Sequence, residues 1–179
     1  MQKQKIFYIV AFFSSFLVTS LIFRGNHDEK PIQKTIAVES VTKTPSPTGI
    51  SQSQDREKIA AYLAKHRSPM AGTENALLTI SSQYRIDYRL LLGIARKESS
   101  LGKRGCNHNP FGIASCRKGF NSYEEAYEYL AKLLTKSAYY DDWRKTGNVY
   151  DLIKVYCPES DGCNTQLYVS QLKQFMNEL

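Results

Sequence analysis

One glutamate, Glu98, has the position that acid–base chemistry needs. On a helical wheel it falls within about 100° of the apolar residues Leu91 and Ile94, so its carboxyl group lies on the buried stripe of a predicted helix. It also lies in the last turn, where the helix dipole disfavours negative charge. Desolvation and the dipole both raise the pKa of a carboxyl group, which prepares it as a general acid.

The ordinary alternative is a helix-end glutamate that pairs with Arg96, Lys97 or Lys103. The wheel argues against the first two, because both point away from Glu98. The other acidic candidates have structural explanations as helix-start, N-cap or solvated turn residues: Asp87, Glu124, Glu125, Asp141 and Asp142. Glu98 therefore stands without an obvious second carboxylate.

Three short motifs resemble one known group. Residues 86–103 (IDYRLLLGIARKESSLGK) resemble the helix that carries the catalytic glutamate in bacterial glucosaminidase and lytic transglycosylase domains of the lysozyme-like superfamily. Residues 109–113 (NPFGI) resemble the N-x-F-G-I element of glucosaminidases, and residues 120–126 (FNSYEEA) their F-x-S-[YW]-x-E segment. Each motif is weak alone, but their order and spacing make the resemblance specific. It runs from about Lys58 to the C-terminus.

The resemblance implies a lysozyme-like helical domain around a cleft that binds peptidoglycan glycan strands. Glu98 would protonate a β-1,4 glycosidic oxygen. With one carboxylate, either the substrate's 2-acetamido group assists hydrolysis, or its C6 hydroxyl attacks and leaves a 1,6-anhydro end, as in lytic transglycosylases. The NPFGI element favours an endo-β-N-acetylglucosaminidase-like hydrolase. A catalytically inactive peptidoglycan-binding module and an envelope scaffold protein are the other classes.

The same motifs predict the substrate-binding residues. Gly112 would let the backbone approach a sugar closely, while Phe111 packs the floor of the cleft or stacks on a ring. Asn109 belongs to the same element, and Tyr123 lies at the start of the next helix, facing this loop. We expect no metal and no cofactor.

The four cysteines fall in two close pairs. In an exported domain this pattern predicts the disulfides Cys106–Cys116 and Cys157–Cys163. The alternative is a zinc site made by Cys106, His108, Cys116 and another cysteine, but the C-x2-C spacing of structural zinc sites is absent.

Helical periodicity dominates residues 57–179, which predicts one mainly α domain. Asp87 is a predicted N-cap for a helix over 88–99, and Ser122 with Glu125 has capping-box spacing. Further helices are predicted over about 73–84, 149–156 and 166–176, and a first apolar stripe ends before Ser68. The connection over 102–120, rich in Gly, Asn and Cys, predicts irregular or short β structure near the cleft.

An uncharged apolar run covers residues 6–23 and follows Lys3 and Lys5. As a helix it would be roughly 27 Å long, which is enough to cross a bilayer. We therefore predict a transmembrane anchor over 1–23 with the remaining chain outside the membrane; a cleaved signal peptide is the alternative. Residues 24–56, rich in Ser, Thr, Pro and Gln, are predicted to be a flexible stalk.

The charge balance is mildly basic, with 24 Lys and Arg against 17 Asp and Glu. This excess suits an anionic polymer or surface, but it lacks the dense basic stripe of a nucleic-acid-binding protein. We expect a monomer whose partners are peptidoglycan and the membrane, with no nucleic acid.

Overall fold

The computed structural model describes residues 47–179, and of residues 47–50 it describes the backbone only. The predicted membrane segment and most of the predicted stalk lie outside these residues. The described part is mainly helical, as predicted. Its α-helices are α1 (Pro47–Lys65), α2 (Glu74–Tyr84), α3 (Tyr88–Ser99), α4 (Tyr123–Lys136), α5 (Asp141–Thr146), α6 (Val149–Tyr156) and α7 (Thr165–Asn177). Short 3-10 turns cover Ile113–Cys116, Ala138–Tyr140 and Glu159–Asp161.

Helix α1 begins earlier than the apolar pattern indicates. Residues 47–56, assigned to the stalk by composition, form its first turns. Residues 51–54 are exposed, and their sequence has no apolar stripe that would predict a helix. Asp55 joins this part of α1 to the domain, because its Oδ1 accepts a hydrogen bond from the Tyr88 hydroxyl at 3.2 Å.

The predicted helix starts are confirmed at their caps. The Asp87 carboxylate accepts a hydrogen bond from the Arg89 backbone N–H at 2.9 Å and begins α3. The Ser122 hydroxyl accepts from the Glu125 N–H at 3.3 Å, and the Glu125 carboxylate accepts from the Asn121 N–H at 2.7 Å. Each cap satisfies backbone donors that the first turn of a helix leaves unpaired.

Helix α3 lies at the centre of the domain. Leu91, Leu92 and Ile94 are fully buried, and α3 packs most extensively against α7. At this crossing a Cβ atom on Gly93 would lie 2.5 Å from Leu172 Cδ1, so a larger residue would require the Leu172 side chain to shift. The same packing sets the position of the last turn of α3, which includes Glu98.

Two connections carry the disulfides. The first loop, residues 100–122, joins α3 to α4 and contains Cys106–Cys116; the second loop, residues 157–164, joins α6 to α7 and contains Cys157–Cys163. Both predicted pairings are present, with Cα–Cα distances of 5.8 and 5.6 Å. Apart from the 3-10 turn Ile113–Cys116 and an isolated β-bridge between Cys106 and Asn109, the first loop is irregular, as its composition predicts.

None of the helices within residues 47–179 is long and apolar enough to span a membrane. The predicted anchor over 1–23 lies outside this range.

Candidate functional site

Glu98 lies in the last turn of α3, and its side chain is half-buried. The hydroxyl group of Tyr168, on α7, donates a hydrogen bond to Glu98 Oε1 at 2.7 Å. Tyr168 is itself buried, with 3% of its surface exposed. Burial and the nearby Glu98 charge raise the pKa of Tyr168 well above its ordinary value, so this hydroxyl remains a protonated donor.

The other oxygen of Glu98 faces the first loop. A Cβ atom on Gly112 would lie 3.3 Å from Glu98 Oε2. Gly112 has a φ of +66°, in the left-handed region where residues with a side chain are strained. Glycine is therefore favoured here both by the backbone conformation and by the closeness of the carboxylate.

Tyr156 links the second disulfide region to the first loop. It lies at the end of α6, and its hydroxyl donates to the Phe111 carbonyl oxygen at 2.7 Å. Its ring meets the Tyr168 ring edge-on, with centroids 6.4 Å apart. Burial, and to a smaller degree the Glu98 charge, raises the pKa of Tyr156 well above its ordinary value. Tyr168 thus binds the Glu98 carboxylate, and Tyr156 binds the loop beside it.

Asn109 has its polar atoms engaged within the first loop. Its side-chain amide donates to the carbonyl oxygens of Ile113 at 2.8 Å and Lys118 at 3.0 Å, and its Oδ1 accepts from the Ile113 N–H at 3.1 Å. The residue is 1% exposed. The structure therefore places this predicted substrate contact in the interior, where it holds the loop that carries Gly112.

Phe111 is also buried, with 1% of its surface exposed. Its ring meets the Tyr127 ring edge-on at a centroid distance of 6.2 Å. Of the two expectations for this residue, the contacts match packing beneath the loop rather than an exposed stacking face.

Tyr123 begins α4 and is half-buried against the first loop. Its ring lies edge-on to the exposed His108 ring at 5.0 Å, and its hydroxyl would be 3.3 Å from a Cβ atom on Gly102. Burial raises the pKa of Tyr123. The side chain faces the loop, as expected from its place at the helix start.

Ser99 connects the end of α3 to the first loop. Its hydroxyl donates to the Pro110 carbonyl oxygen at 2.7 Å and accepts from the Gly102 N–H at 2.7 Å. Because Ser99 follows Glu98 directly, these bonds fix the distance between the carboxylate and residues 110–112.

The cations next to Glu98 in sequence contact other residues. Arg96 forms an ion pair with Glu178 and donates to the Tyr62 hydroxyl at 2.6 Å. Lys97 donates to the side-chain oxygen of Gln171. Both project away from the buried stripe of α3, as the wheel predicts.

The remaining acidic candidates have structural contacts. Asp87 caps α3, and Glu125 accepts a hydrogen bond from the Asn121 N–H just before α4. Asp141 and Asp142 form the first turn of α5 rather than a solvated turn, and they pair with Arg144 and Lys154 respectively. Short helices of this kind lack the length for a periodic signal.

The described residues contain no group of three or more His, Cys, Asp or Glu side chains that could hold a metal ion. Cys106 and Cys116 are bonded to each other, so the alternative zinc site that would use both thiolates is not formed.

Tyr168 was not predicted from the sequence as a site residue. Its hydroxyl meets a carboxylate 70 positions away in the chain, which no local pattern reports. One signal was present: Tyr168 shares the buried stripe of the last predicted helix with Leu172, and a buried tyrosine usually places its hydroxyl against a partner.

No protein family, no curated protein and no solved structure matches this chain.

Proposed function

We propose that this protein cleaves the glycan strands of peptidoglycan, as an endo-β-N-acetylglucosaminidase-like hydrolase with Glu98 as its general acid. In this proposal the domain has the lysozyme-like arrangement implied by its motifs, acts as a monomer, and is held at the outer face of the membrane by residues 1–23.

One observation carries the proposal. The Glu98 carboxyl group is half-buried, with one oxygen bound by the Tyr168 hydroxyl and the other next to the backbone of Gly112. A general acid needs a fixed orientation toward the bond that it protonates. Because Tyr168 donates to Oε1, that oxygen acts as the acceptor, and the proton belongs on Oε2.

The first loop supports this geometry. Asn109, Ser99 and Tyr156 each bind its backbone, so the segment that faces Oε2 is held from three sides. A rigid backbone beside the acid favours a fixed position of a substrate relative to the carboxyl group. The mildly basic charge suits an anionic polymer such as peptidoglycan.

The proposed reaction is balanced with one protein carboxyl group. Glu98 transfers its proton to the glycosidic oxygen as the bond from C1 to that oxygen breaks, and the carbonyl oxygen of the substrate's 2-acetamido group bonds to C1. A water molecule then attacks C1 as the bond from C1 to the acetamido oxygen breaks, which restores the acetamido group, and the water gives a proton back to the Glu98 carboxylate. If the C6 hydroxyl attacks instead, the same carboxylate accepts its proton and the product has a 1,6-anhydro end.

The test uses the full-length protein in detergent on purified sacculi, with release of soluble muropeptides as the readout. We expect Glu98→Gln to lower turnover by about 10²–10⁴-fold, since it keeps the shape but removes the transferable proton. Glu128→Gln is the control: this exposed glutamate accepts from Tyr84 on the surface, and its variant should keep wild-type activity.

Three outcomes are informative. Retention of more than roughly a tenth of the activity by Glu98→Gln would exclude Glu98 as the essential acid. Sacculus binding without any released product would support the binding-module alternative. Mass spectrometry of the products separates the two enzymatic reactions, because a reducing end and a 1,6-anhydro end differ by one water.

A further inference from the structure

A second candidate site lies at the C-terminal end of α3, on the faces of the helix that carry Arg96 and Lys97. It is a pocket of about 370 Å³ between α3 and α7. Its walls are rich in basic side chains and hydrogen-bond donors: His66, Arg96, Lys97, Lys103, Arg104 and Gln171.

The pocket has more cationic side chains than acidic partners for them. Arg96 has an acidic partner, Glu178, but the ion pairs of residues 47–179 do not include Lys97, Lys103 or Arg104. Cations commonly follow the end of a helix, where they offset its partial negative charge. Lys103 and Arg104, however, come after the last turn of α3 and are exposed. The end of one helix therefore does not account for all four cations of the pocket.

Two of the cations are held in place. Arg96 lies over the Phe175 ring, with its guanidinium carbon 4.3 Å from the ring centroid. The Lys97 ammonium group is 5.4 Å from the Tyr168 ring centroid and binds Gln171. Side chains that are already ordered lose little conformational freedom when they bind a ligand.

His66 lies in the wall of the pocket, next to Arg96. Its Nε2 accepts a hydrogen bond from Arg96 at 3.2 Å, and its ring meets Tyr62 edge-on at 4.7 Å. The pKa of His66 is lowered, first by burial, then by Arg96 and by Lys65 and Lys103, against an opposing effect of Glu178. Arg96, Lys65 and Lys103 thus add positive potential at this ring, which added negative charge would offset.

We propose that this pocket binds a phosphate group carried by a soluble polymer. Guanidinium and ammonium groups together match the oxygens of a phosphate, and four of them within one concavity favour a ligand with several negative charges. The pocket is concave, so a single group on a flexible chain reaches it more readily than the headgroups of a flat bilayer. The proposal does not depend on glycan cleavage by Glu98.

The experiment is a proton NMR titration of His66 in the full-length protein in zwitterionic detergent, with short linear polyphosphate as the probe. The chain has three histidines, and the His66 signal is assigned by its loss in His66→Gln. Internal phosphates of this polymer keep their charge across the titration. We expect a saturable rise of about one pH unit in the pKa of His66, from a charge roughly 8 Å away at an effective dielectric constant of about 30.

Charge-matched variants test the location. Lys103→Gln with Arg104→Gln should raise the polyphosphate concentration needed for half of the effect by at least about tenfold. Lys132→Gln with Lys136→Gln removes the same charge from exposed positions on α4 and should change it by less than about twofold. Glu98→Gln should bind as the wild type does, which separates this site from the proposed activity.

Several results would overturn the proposal. One is a His66 response no larger than sodium chloride produces at the same ionic strength. Another is an equal loss in both double variants, which would indicate general attraction to a basic protein. Binding to phosphatidylglycerol vesicles without binding to polyphosphate would show that the surface contacts a membrane instead.

Discussion

The two disulfide loops reach Glu98 from different sides and are stabilised in different ways. The first loop presents Gly112 to one carboxyl oxygen, while the second loop leads into α7, whose Tyr168 binds the other. In the first loop nine residues have positive φ: Ser100, Leu101, Gly102, Asn107, His108, Gly112, Ala114, Ser115 and Cys116. In the second loop only Gly162 does.

This contrast has an energetic meaning. A left-handed conformation costs a residue with a side chain about 1–2 kcal/mol, so the first loop needs tertiary contacts to persist. Phe111 supplies one, because its buried ring packs against Tyr127 of α4, and Asn109 ties the loop together internally through the carbonyl oxygens of Ile113 and Lys118. The second loop is mostly exposed, and Thr165 binds it at one point, through the Cys157 carbonyl oxygen at 3.1 Å. One loop is shaped by the core, and the other is a local turn.

The largest effect should come from the same substitution made in each loop. Asn109→Ala leaves buried backbone groups without three hydrogen bonds and should lower the free energy of unfolding by about 3 kcal/mol. Asn164→Ala removes an exposed N-cap that accepts from the Leu167 N–H at 2.9 Å, and should cost about 1 kcal/mol. Urea unfolding measures both, and equal losses would contradict the contrast between the loops.

The next effect concerns the two tyrosines that flank the second loop. Tyr168→Phe removes the donor to Glu98 and should reduce glycan cleavage about tenfold. Tyr156→Phe removes the donor to the Phe111 carbonyl oxygen, which should cost about 1 kcal/mol of stability and change turnover by less than about threefold. The measurement is the rate of muropeptide release beside a thermal melt. A larger loss of activity in Tyr156→Phe would place the critical contact on the loop instead of the carboxylate.

The smallest effect compares one glycine from each loop. Gly112 and Gly162 have φ of +66° and +75°, so alanine at either position should cost about 1–2 kcal/mol of stability. An added Cβ on Gly162 meets nothing within 4 Å, whereas on Gly112 it meets Glu98 Oε2 at 3.3 Å. Gly112→Ala should therefore lower turnover about three- to fivefold through a small displacement of the carboxylate, while Gly162→Ala leaves it unchanged. Indistinguishable turnover in the two variants would show that Gly112 acts only on the backbone.

Local patterns predicted most of the helices. The bounds of α3 and α6 agree with the sequence prediction, and Asp87 and Ser122 cap the helices they were expected to begin. Both signals act within one or two turns of chain, where side-chain periodicity and cap chemistry dominate. The first turns of α1 and the whole of α5 were not predicted, because neither has a buried stripe long enough to give a periodic pattern.

The site divides between sequence and structure. The sequence alone determined the acid candidate, because the wheel position of Glu98 is a local property. It also determined the disulfides, because each cysteine pair is closely spaced along the chain. Tertiary packing decided which oxygen Tyr168 binds, why glycine is favoured at position 112, and that Asn109 and Phe111 face the interior. Those facts depend on how α3 meets α7 and how the first loop folds over the core, and the residues involved in the first contact are 70 positions apart. Periodicity describes one face of one helix, but only packing shows which faces meet.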